Sequence, residues 1–455
     1  MRLRKGMYKP IELEKVCLQV TDGTHYTPNY VVAGFPFISA KDVNEFCVSF
    51  DVNKFVSTEE HEAFTRRCNP EPHDVLLSKV GTIGRAAVVP DKAPVFDLFV
   101  SVCLIKPRRD IISPDYLCAV LNSSFARAQF LRALKGIGVP DLHLEDIKRT
   151  LIPLPHPSIQ ERLTTALKAA FSTRCQKLCE ADVLFTTIGD FVLDALGLTL
   201  PPPDGRIIYT ARRGDARQRV DVDYHSPRFR TLRQKIEKGK YAVLSIGELF
   251  NPIVSGFAAG GDAQTDDVEI GVPHIRPLNI TNDAELTFEG TKMVPRERLD
   301  PSDYLTKGEV LFNNTNSTAW VGKTVVFDSD RPCACSNHIT RMTLRDRRHS
   351  PHYFAALFNA FRGIGYFGLL ATNFNNQAGI NVDTLKNVRI PVPKPDIQRE
   401  IAKEVARRRE KARHLRRDAE LLWNEAKRRF EEELLGPESS FGVDKTDGKK
   451  GGRRK

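Results

Sequence analysis

The sequence predicts an α+β protein: two similar mixed α/β domains separated by an antiparallel coiled coil of two long helices. Three observations predict it. The chain repeats itself once, at an offset of about 237 residues, as Ser113 against Ser350 illustrates. Each copy closes with a proline-spaced connector that leads into a long amphipathic pattern. The two amphipathic patterns are the obvious partners for one another. A period this long is far outside the 20–50 residues, roughly, of a solenoid unit, so it marks a duplicated domain. A length of 455 residues also exceeds what one hydrophobic core serves and fits two or three domains.

The repeat is clearest at Ser113-Pro-Asp-Tyr-Leu117 with Leu121 and Asn122, which returns as Ser350-Pro-His-Tyr-Phe354 with Phe358 and Asn359. Leu151-Ile-Pro-Leu-Pro155, followed by Ile159 and Gln160, returns as Arg389-Ile-Pro-Val-Pro393, followed by Ile397 and Gln398. Upstream, Phe35-Pro-Phe-Ile38 answers Val272-Pro-His-Ile275, and Asp74-Val-Leu76 answers Glu309-Val-Leu311.

In chain order, residues 1–155 read as the first domain, of mixed strand and turn with short helices. Leu76–Val89 reads as a hairpin broken by Gly81 and Gly84. Ser113 is the expected N-cap of a helix with Pro114 at its first position. Ile152–Pro157 is too proline-rich for a helix or a central strand and must be extended. From Ser158, apolar residues keep a 3–4 spacing until Gly197, giving a first spacer helix over 156–198. Residues 199–220 are a Pro- and Arg-rich linker, and 221–395 form the second domain. Asp396 caps a second spacer helix over 396–436, which carries Arg407-Arg-Arg409 and Arg416-Arg417. Those arginines make either a solvated face or a docking surface for another subunit. Residues 437–455 are a basic tail expected to be disordered. Each helix of about 40 residues would be about 60 Å long. So long a helix with a narrow apolar stripe needs a partner stripe. Antiparallel pairing would place the two domains at opposite ends of a rod.

Net charge is +11 with a pI near 9.2, which favours a polyanionic partner, nucleic acid first. No apolar run is long enough for a membrane span. The basic start Met1-Arg-Leu-Arg-Lys5 lacks a following apolar region. Nine scattered cysteines form no zinc-type spacing and read as buried thiols in a reducing cytosol, so a cytoplasmic protein is expected.

Strings that imitate enzyme motifs fail on context. Gly363-Ile-Gly-Tyr-Phe-Gly368 follows a predicted helix, where a dinucleotide fingerprint needs a strand, and its first-half counterpart Gly136-Ile-Gly138 lacks the third glycine. Gly322-Lys-Thr324 has Ser317 where a phosphate loop needs glycine. Asp141, Asp146 and Lys148 lie within a few residues, whereas metal-assisted cleavage needs acids from different strands. No Asn/Asp-Pro-Pro-aromatic motif occurs; the nearest string is Asn69-Pro-Glu-Pro72. No catalytic, cofactor or metal residue is assigned.

Base reading needs Arg or Lys for guanine, Asn or Gln for adenine, and slim loops that approach phosphate. The first half offers Lys41, Lys79, Thr82 and Arg85, plus the loop Asp22-Gly-Thr-His-Tyr26. The second offers Arg276, Asn279, Asn313, Asn314, Asn316, Ser317 and Lys323, plus Asn373, Asn375, Asn376 and Gln377. Each also has an ordinary reading as turn former, cap or solvated side chain. The run Asn313–Ser317 holds more amides than one turn needs.

The doubled order of strand plus glycine or amide loop, Ser-Pro-x-Tyr helix, and Ile-Pro-x-Pro connector before Ile-Gln and a long helix spans the chain to Gly436. In this it resembles the specificity (S) subunit of a type I restriction–modification system. The resemblance implies two target recognition domains, each reading one half of a split site in double-stranded DNA. It implies a coiled coil that sets the gap. It implies two methyltransferase (M) subunits as partners, which hold S-adenosylmethionine, and restriction (R) subunits, where present, that use ATP and Mg. The chain itself would be non-catalytic and hold no cofactor. Because Lys79-Val-Gly-Thr-Ile-Gly84 differs from Asn314-Thr-Asn-Ser317, an asymmetric target is expected. The alternatives are the recognition subunit of a two-chain system outside type I, or a DNA-modifying enzyme with its own catalytic site.

Overall fold

The computed structural model describes residues 7–134, 138–200, 210, 223–374 and 377–436. They divide into two compact units, one falling within Met1–Lys177 and Arg417–Lys455, the other within Leu178–Arg416. Each unit takes in a stretch of both long helices, because the apolar stripes of those helices enter the unit's own core.

In the first unit a four-stranded antiparallel sheet runs in the order Cys17–Asp22, Val102–Pro107, Val75–Ser78, Ala86–Val88. The last two strands are the hairpin predicted around Gly81 and Gly84. Successive side chains on a strand point to opposite faces, and both faces are covered. Val75, Leu77, Cys103 and Ile105 pack with the helix Pro114–Leu121. Leu76, Leu104 and Ala87 pack with Ile38, Val43 and Leu98 on the other side. A small sheet places Phe35–Ile38 between Phe55–Val56 (antiparallel) and Asp97–Leu98 (parallel).

The second unit repeats this topology. Its sheet order is Phe250–Ser255, Ile339–Leu344, Val310–Asn313, Thr324–Val326. Gly271–Ile275 lies between Met293–Pro295 (antiparallel) and Ala334–Cys335 (parallel). Val310, Phe312 and Met342 face the helix Pro351–Gly363, whereas Leu311, Val325 and Ile339 face Ile275 and Phe327. Even the close approaches match. A Cβ on Gly23 would sit 1.9 Å from the Leu98 carbonyl oxygen, and one on Gly256 1.9 Å from that of Cys335. Only glycine fits either crossing.

The repeated motifs hold each connector to its domain. Tyr116 Oη donates to the Pro153 carbonyl at 2.9 Å, and Tyr353 Oη to that of Pro391 at 2.9 Å. Gln160 Oε1 accepts from the Ser113 amide at 2.9 Å while its Nε2 donates to the Pro155 carbonyl at 3.0 Å. Gln398 does the same for Ser350 (3.0 Å) and Pro393 (2.8 Å). The connectors also pair as strands: Leu151–Pro153 with Pro10–Glu12, and Arg389–Val392 with Ala242–Ser245.

The second long helix runs from Pro395 to Leu435, close to expectation. The first does not run unbroken over 156–198. It spans Pro157–Thr186, is interrupted at Thr187, and resumes as Ile188–Ala195. There the Thr186 and Thr187 hydroxyls donate to the Asp182 and Val183 carbonyls, while the Thr187 amide still donates to the Val183 carbonyl at 3.1 Å. Within the first unit, Arg162 pairs with Glu433 (2.6 Å), Arg174 with Glu420 (2.8 Å) and Lys177 with Asp418 (3.5 Å). Numbers rise along one helix as they fall along the other, so these segments run antiparallel. Within the second unit, Glu180 meets Lys411 (2.6 Å) and Asp182 meets Arg416 (2.8 Å).

The cysteines depart from expectation. Cys47, Cys175 and Cys179 are exposed, Cys17 is half-buried and the other five are buried, all as free thiols. Cys175 and Cys179 fall outside the helix stripe that Phe171 and Ala181 mark. No helix among the described residues is long and apolar enough to cross a membrane. The basic tail over 437–455, Gly136, and the linker apart from residues 199, 200 and 210 lie outside the described residues.

Candidate nucleic-acid interface

In each unit the buried central strand of the sheet ends in a polar turn, and that turn gathers most of the candidate residues. The first-unit turn follows Ser78. Gly81 and Gly84 take φ of +75° and +82°, a region that favours glycine, and so fold the chain back within six residues. Ser78 Oγ accepts from the Arg85 amide at 2.9 Å. Val80 bridges Asp141, and the Gly81 amide donates to the Pro140 carbonyl at 3.0 Å. The turn is thereby tied to the segment before the helix Leu144–Lys148.

Lys79 is buried, with Nζ 3.4 Å from Asp22 Oδ2 and 3.5 Å from Asp141 Oδ1. Asp22 is also buried and takes Arg67 Nη2 and, at 3.2 Å, His25 Nε2. His143 lies 3.9 Å from Asp141. The early loop from Asp22 and the turn from Lys79 therefore form one charged cluster. A buried charge is tolerable only when paired in this way. Thr82 and Lys41 are exposed, and Arg85 is half-buried with Nη1 donating to Asn44 Oδ1 at 3.2 Å. Tyr26 extends the exposed rim.

The second unit builds the same place from neutral groups. Asn314 takes the position of Lys79, and Ser255 that of Asp22, one residue before the close-approach glycine. Asn314 Nδ2 donates to Thr340 Oγ1 (2.9 Å), to the Asn337 carbonyl (3.1 Å) and to Ser255 Oγ (3.3 Å). Thr315–Asn316 pairs with Gln377–Gly379, so the two amide-rich loops of this half adjoin. Asn316 has φ of +109° and is half-buried; Ser317 and Gln377 are exposed.

Several candidates have internal tasks, which corrects the expectation that they face a ligand. Asn313 is fully buried, and its Nδ2 donates to the Trp320 carbonyl at 2.9 Å, closing the turn. Asn279 is buried; Oδ1 caps the Arg276 amide at 2.9 Å and Nδ2 donates to Thr291 Oγ1 at 2.7 Å. It matches Asp42, which accepts from the Ser39 amide at 2.9 Å. Asn314 shares the two hydrogens of Nδ2 among the three acceptors above. Arg276 is half-buried. Lys323 is buried with Nζ 4.0 Å over the Trp320 ring. Burial, aided by the Arg362 charge, pushes its pKa down to about 8. Asn375 and Asn376 lie outside the described residues. Arg67, Asp141 and Trp320 complete these turns and are not among the expected readers, whereas Asp22 belongs to the early loop that is.

A family model for the type I restriction modification DNA specificity domain matches residues 18–177 and again 227–407. The chain belongs to that family. The two matches coincide with the two copies of the sheet, the polar turn and the following helix. The type I specificity family also supplies curated relatives. The putative type I restriction enzyme MjaX specificity subunit of Methanocaldococcus jannaschii is 27% identical over 150 residues, 32% of this chain and 34% of that protein. The type I restriction enzyme EcoBI specificity subunit of Escherichia coli is 26% identical over 139 residues, 30% of this chain and 29% of that one. The aligned stretch thus spans about a third of these relatives. A chain from a solved structure concerned with complex assembly and conformational transition of the type I R-M system has a TM-score of 0.53. It covers 93% of this chain and 95% of its own at 19% identity, a likeness of fold.

Proposed function

We propose that this chain is the DNA-recognition subunit of a type I restriction–modification complex, in which each unit reads one part of a bipartite, asymmetric site. The observation that carries this reading is one scaffold with two chemistries. The same sheet and turn end in Lys79, Asp22 and Asp141 in one unit and in Asn314, Ser255 and Thr340 in the other. Sister modules with unlike polar turns suit unlike half-sites. The exposed edges, with Lys41 and Thr82 in one and Ser317 and Gln377 in the other, supply donors and acceptors of the kind that read bases and phosphates.

The paired helices act as the spacer, and antiparallel pairs such as Arg174–Glu420 support that reading. Rigid spacing matters because each mismatched base pair costs roughly 1–3 kcal/mol, so two half-sites held in register multiply discrimination. Methyl transfer belongs to methyltransferase subunits holding S-adenosylmethionine, and cleavage to ATP-dependent restriction subunits where these occur. Methylome sequencing of cells carrying the chain with its methyltransferase partner tests the proposal. The expected result is a split motif whose halves differ. A continuous or palindromic motif would refute it.

A further inference from the structure

The duplicated scaffold differs most sharply where the long helices meet the domains. Counting from the equivalent glutamines Gln160 and Gln398, Phe171 stands opposite Arg409, and Phe185 opposite Trp423. Phe46, four residues past the cap Asp42, is answered by Ala284, five past the matching cap Asn279; one residue is inserted in the second copy, and the shared left-handed φ of 62° and 59° sets the correspondence. In the first unit, Phe46, Phe171 and Trp423 form a closed aromatic triad with centroids 5.2–5.5 Å apart. In the second unit the same three places hold Ala284, Arg409 and Phe185.

Exchanging two phenylalanines for an alanine and an arginine leaves a cavity of about 310 Å³, lined by Phe185, Asp283, Ala284, Arg362 and Arg409. The Nε atoms of Arg362 and Arg409 are buried there without a hydrogen-bond partner among the described residues. Buried guanidinium donors are seldom left so, since each unmet donor carries its full desolvation cost. The one carboxylate on the wall, Asp283, is already taken by Arg416 Nη1 at 2.7 Å. Glu285 nearby is taken by Arg413 at 2.7 Å. The pocket is therefore left with two cations and no free anion.

We infer that this cavity is a binding site for a small oxyanion of the phosphate class, gripped between Arg362 and Arg409. Guanidinium pairs suit tetrahedral oxyanions because their N–H groups meet two oxygens at once. The volume admits a phosphate with room for a small ester substituent. In the first unit the cavity beside Phe46 and Phe171, about 240 Å³, is lined by Asp115, Lys168 and mostly apolar residues, with no arginine on its wall. The inference does not rest on the DNA-reading proposal and stands or falls separately.

Calorimetric titration of the full chain, in buffer free of phosphate and sulfate, tests it with inorganic phosphate and AMP as probes. Saturable one-to-one heat with at least one probe is expected. Arg409→Gln should weaken it by about tenfold or more, the loss of one charge-assisted contact. Ala284→Phe, which restores the first unit's plug at a φ that phenylalanine already tolerates, should abolish it while circular dichroism stays unchanged. If Arg409→Gln fails to fold, Ala284→Phe decides alone. Tighter binding of AMP than phosphate would assign a phosphate ester, and equal binding the free ion. No saturable heat with either probe, or unchanged affinity in the folded variants, would overturn the inference.

Discussion

Gln160 Oε1 accepts from the backbone amide of Ser113, 47 residues earlier, at 2.9 Å. It thereby ties the first turn of a long helix to the N-terminus of the domain's core helix. The Gln160 side chain is 1% exposed, so water cannot replace it. The Gln160→Leu variant leaves the Ser113 amide and the Pro155 and Ile111 carbonyls without this partner. The expected loss is about 1–3 kcal/mol, read from urea denaturation of the full chain. Gln398→Leu should cost a similar amount, because Gln398 makes the matching bonds.

Trp423 seals the first unit's triad at 2% exposure. Truncating a buried aromatic of this size costs about 3–5 kcal/mol. In Trp423→Ala, amide exchange should accelerate along residues 157–177 and in Pro114–Leu121, which share its core. The second unit's strand Val310–Asn313 should keep its protection. Equal loss in both units would count against this assignment of the core.

The proposed division of labour predicts one-sided changes in specificity. Replacing Lys79 by Met removes the cation that joins Asp22 to Asp141. It should alter one half of the methylated motif and leave the other intact. Asn314→Asp, which loses the donor to Thr340 and Ser255, should alter only the opposite half. Each effect should be about 1–3 kcal/mol of discrimination, measured by sequencing the modified sites.

Lys323 yields a pH signature. Its folded pKa is lowered to about 8 by burial first and by the Arg362 charge second. Between about pH 8 and the ordinary lysine range the unfolded chain therefore holds more protons than the folded one, and stability from this group rises with pH. The penalty of holding the charged form is full below that window. Relative to wild type, the Tm of Lys323→Met should be highest near pH 7 and fall relatively as pH approaches 10. A pH-independent difference would contradict the burial argument.

The duplication was legible in the sequence because it is carried by residues with packing tasks that admit few substitutes. Tyr116 and Tyr353 must both reach a proline carbonyl, and Gln160 and Gln398 must both satisfy a helix N-terminus. The hairpin around Gly81 and Gly84 was legible because φ above zero favours glycine. The direction of polar side chains was not. Asn313 and Asn279 look like ligand-facing amides, yet each closes a turn from inside. A strand end yields the same run of residues whether its last amide turns inward or outward. Lys79 finds Asp22 and Asp141 across about 60 residues in either direction, a distance over which sequence carries no pairing signal. The interruption at Thr187 was hidden because the apolar spacing continues through it.

The first unit is sewn shut by Trp423, Phe430 and Leu434, which a ribosome adds only after the entire second unit has been made. Until then the helix around Leu163 and Phe171 offers its apolar stripe to whatever is near. Closure over so long an intervening chain is intrinsically slow, so the earliest-made half of this protein is the last to be finished during translation.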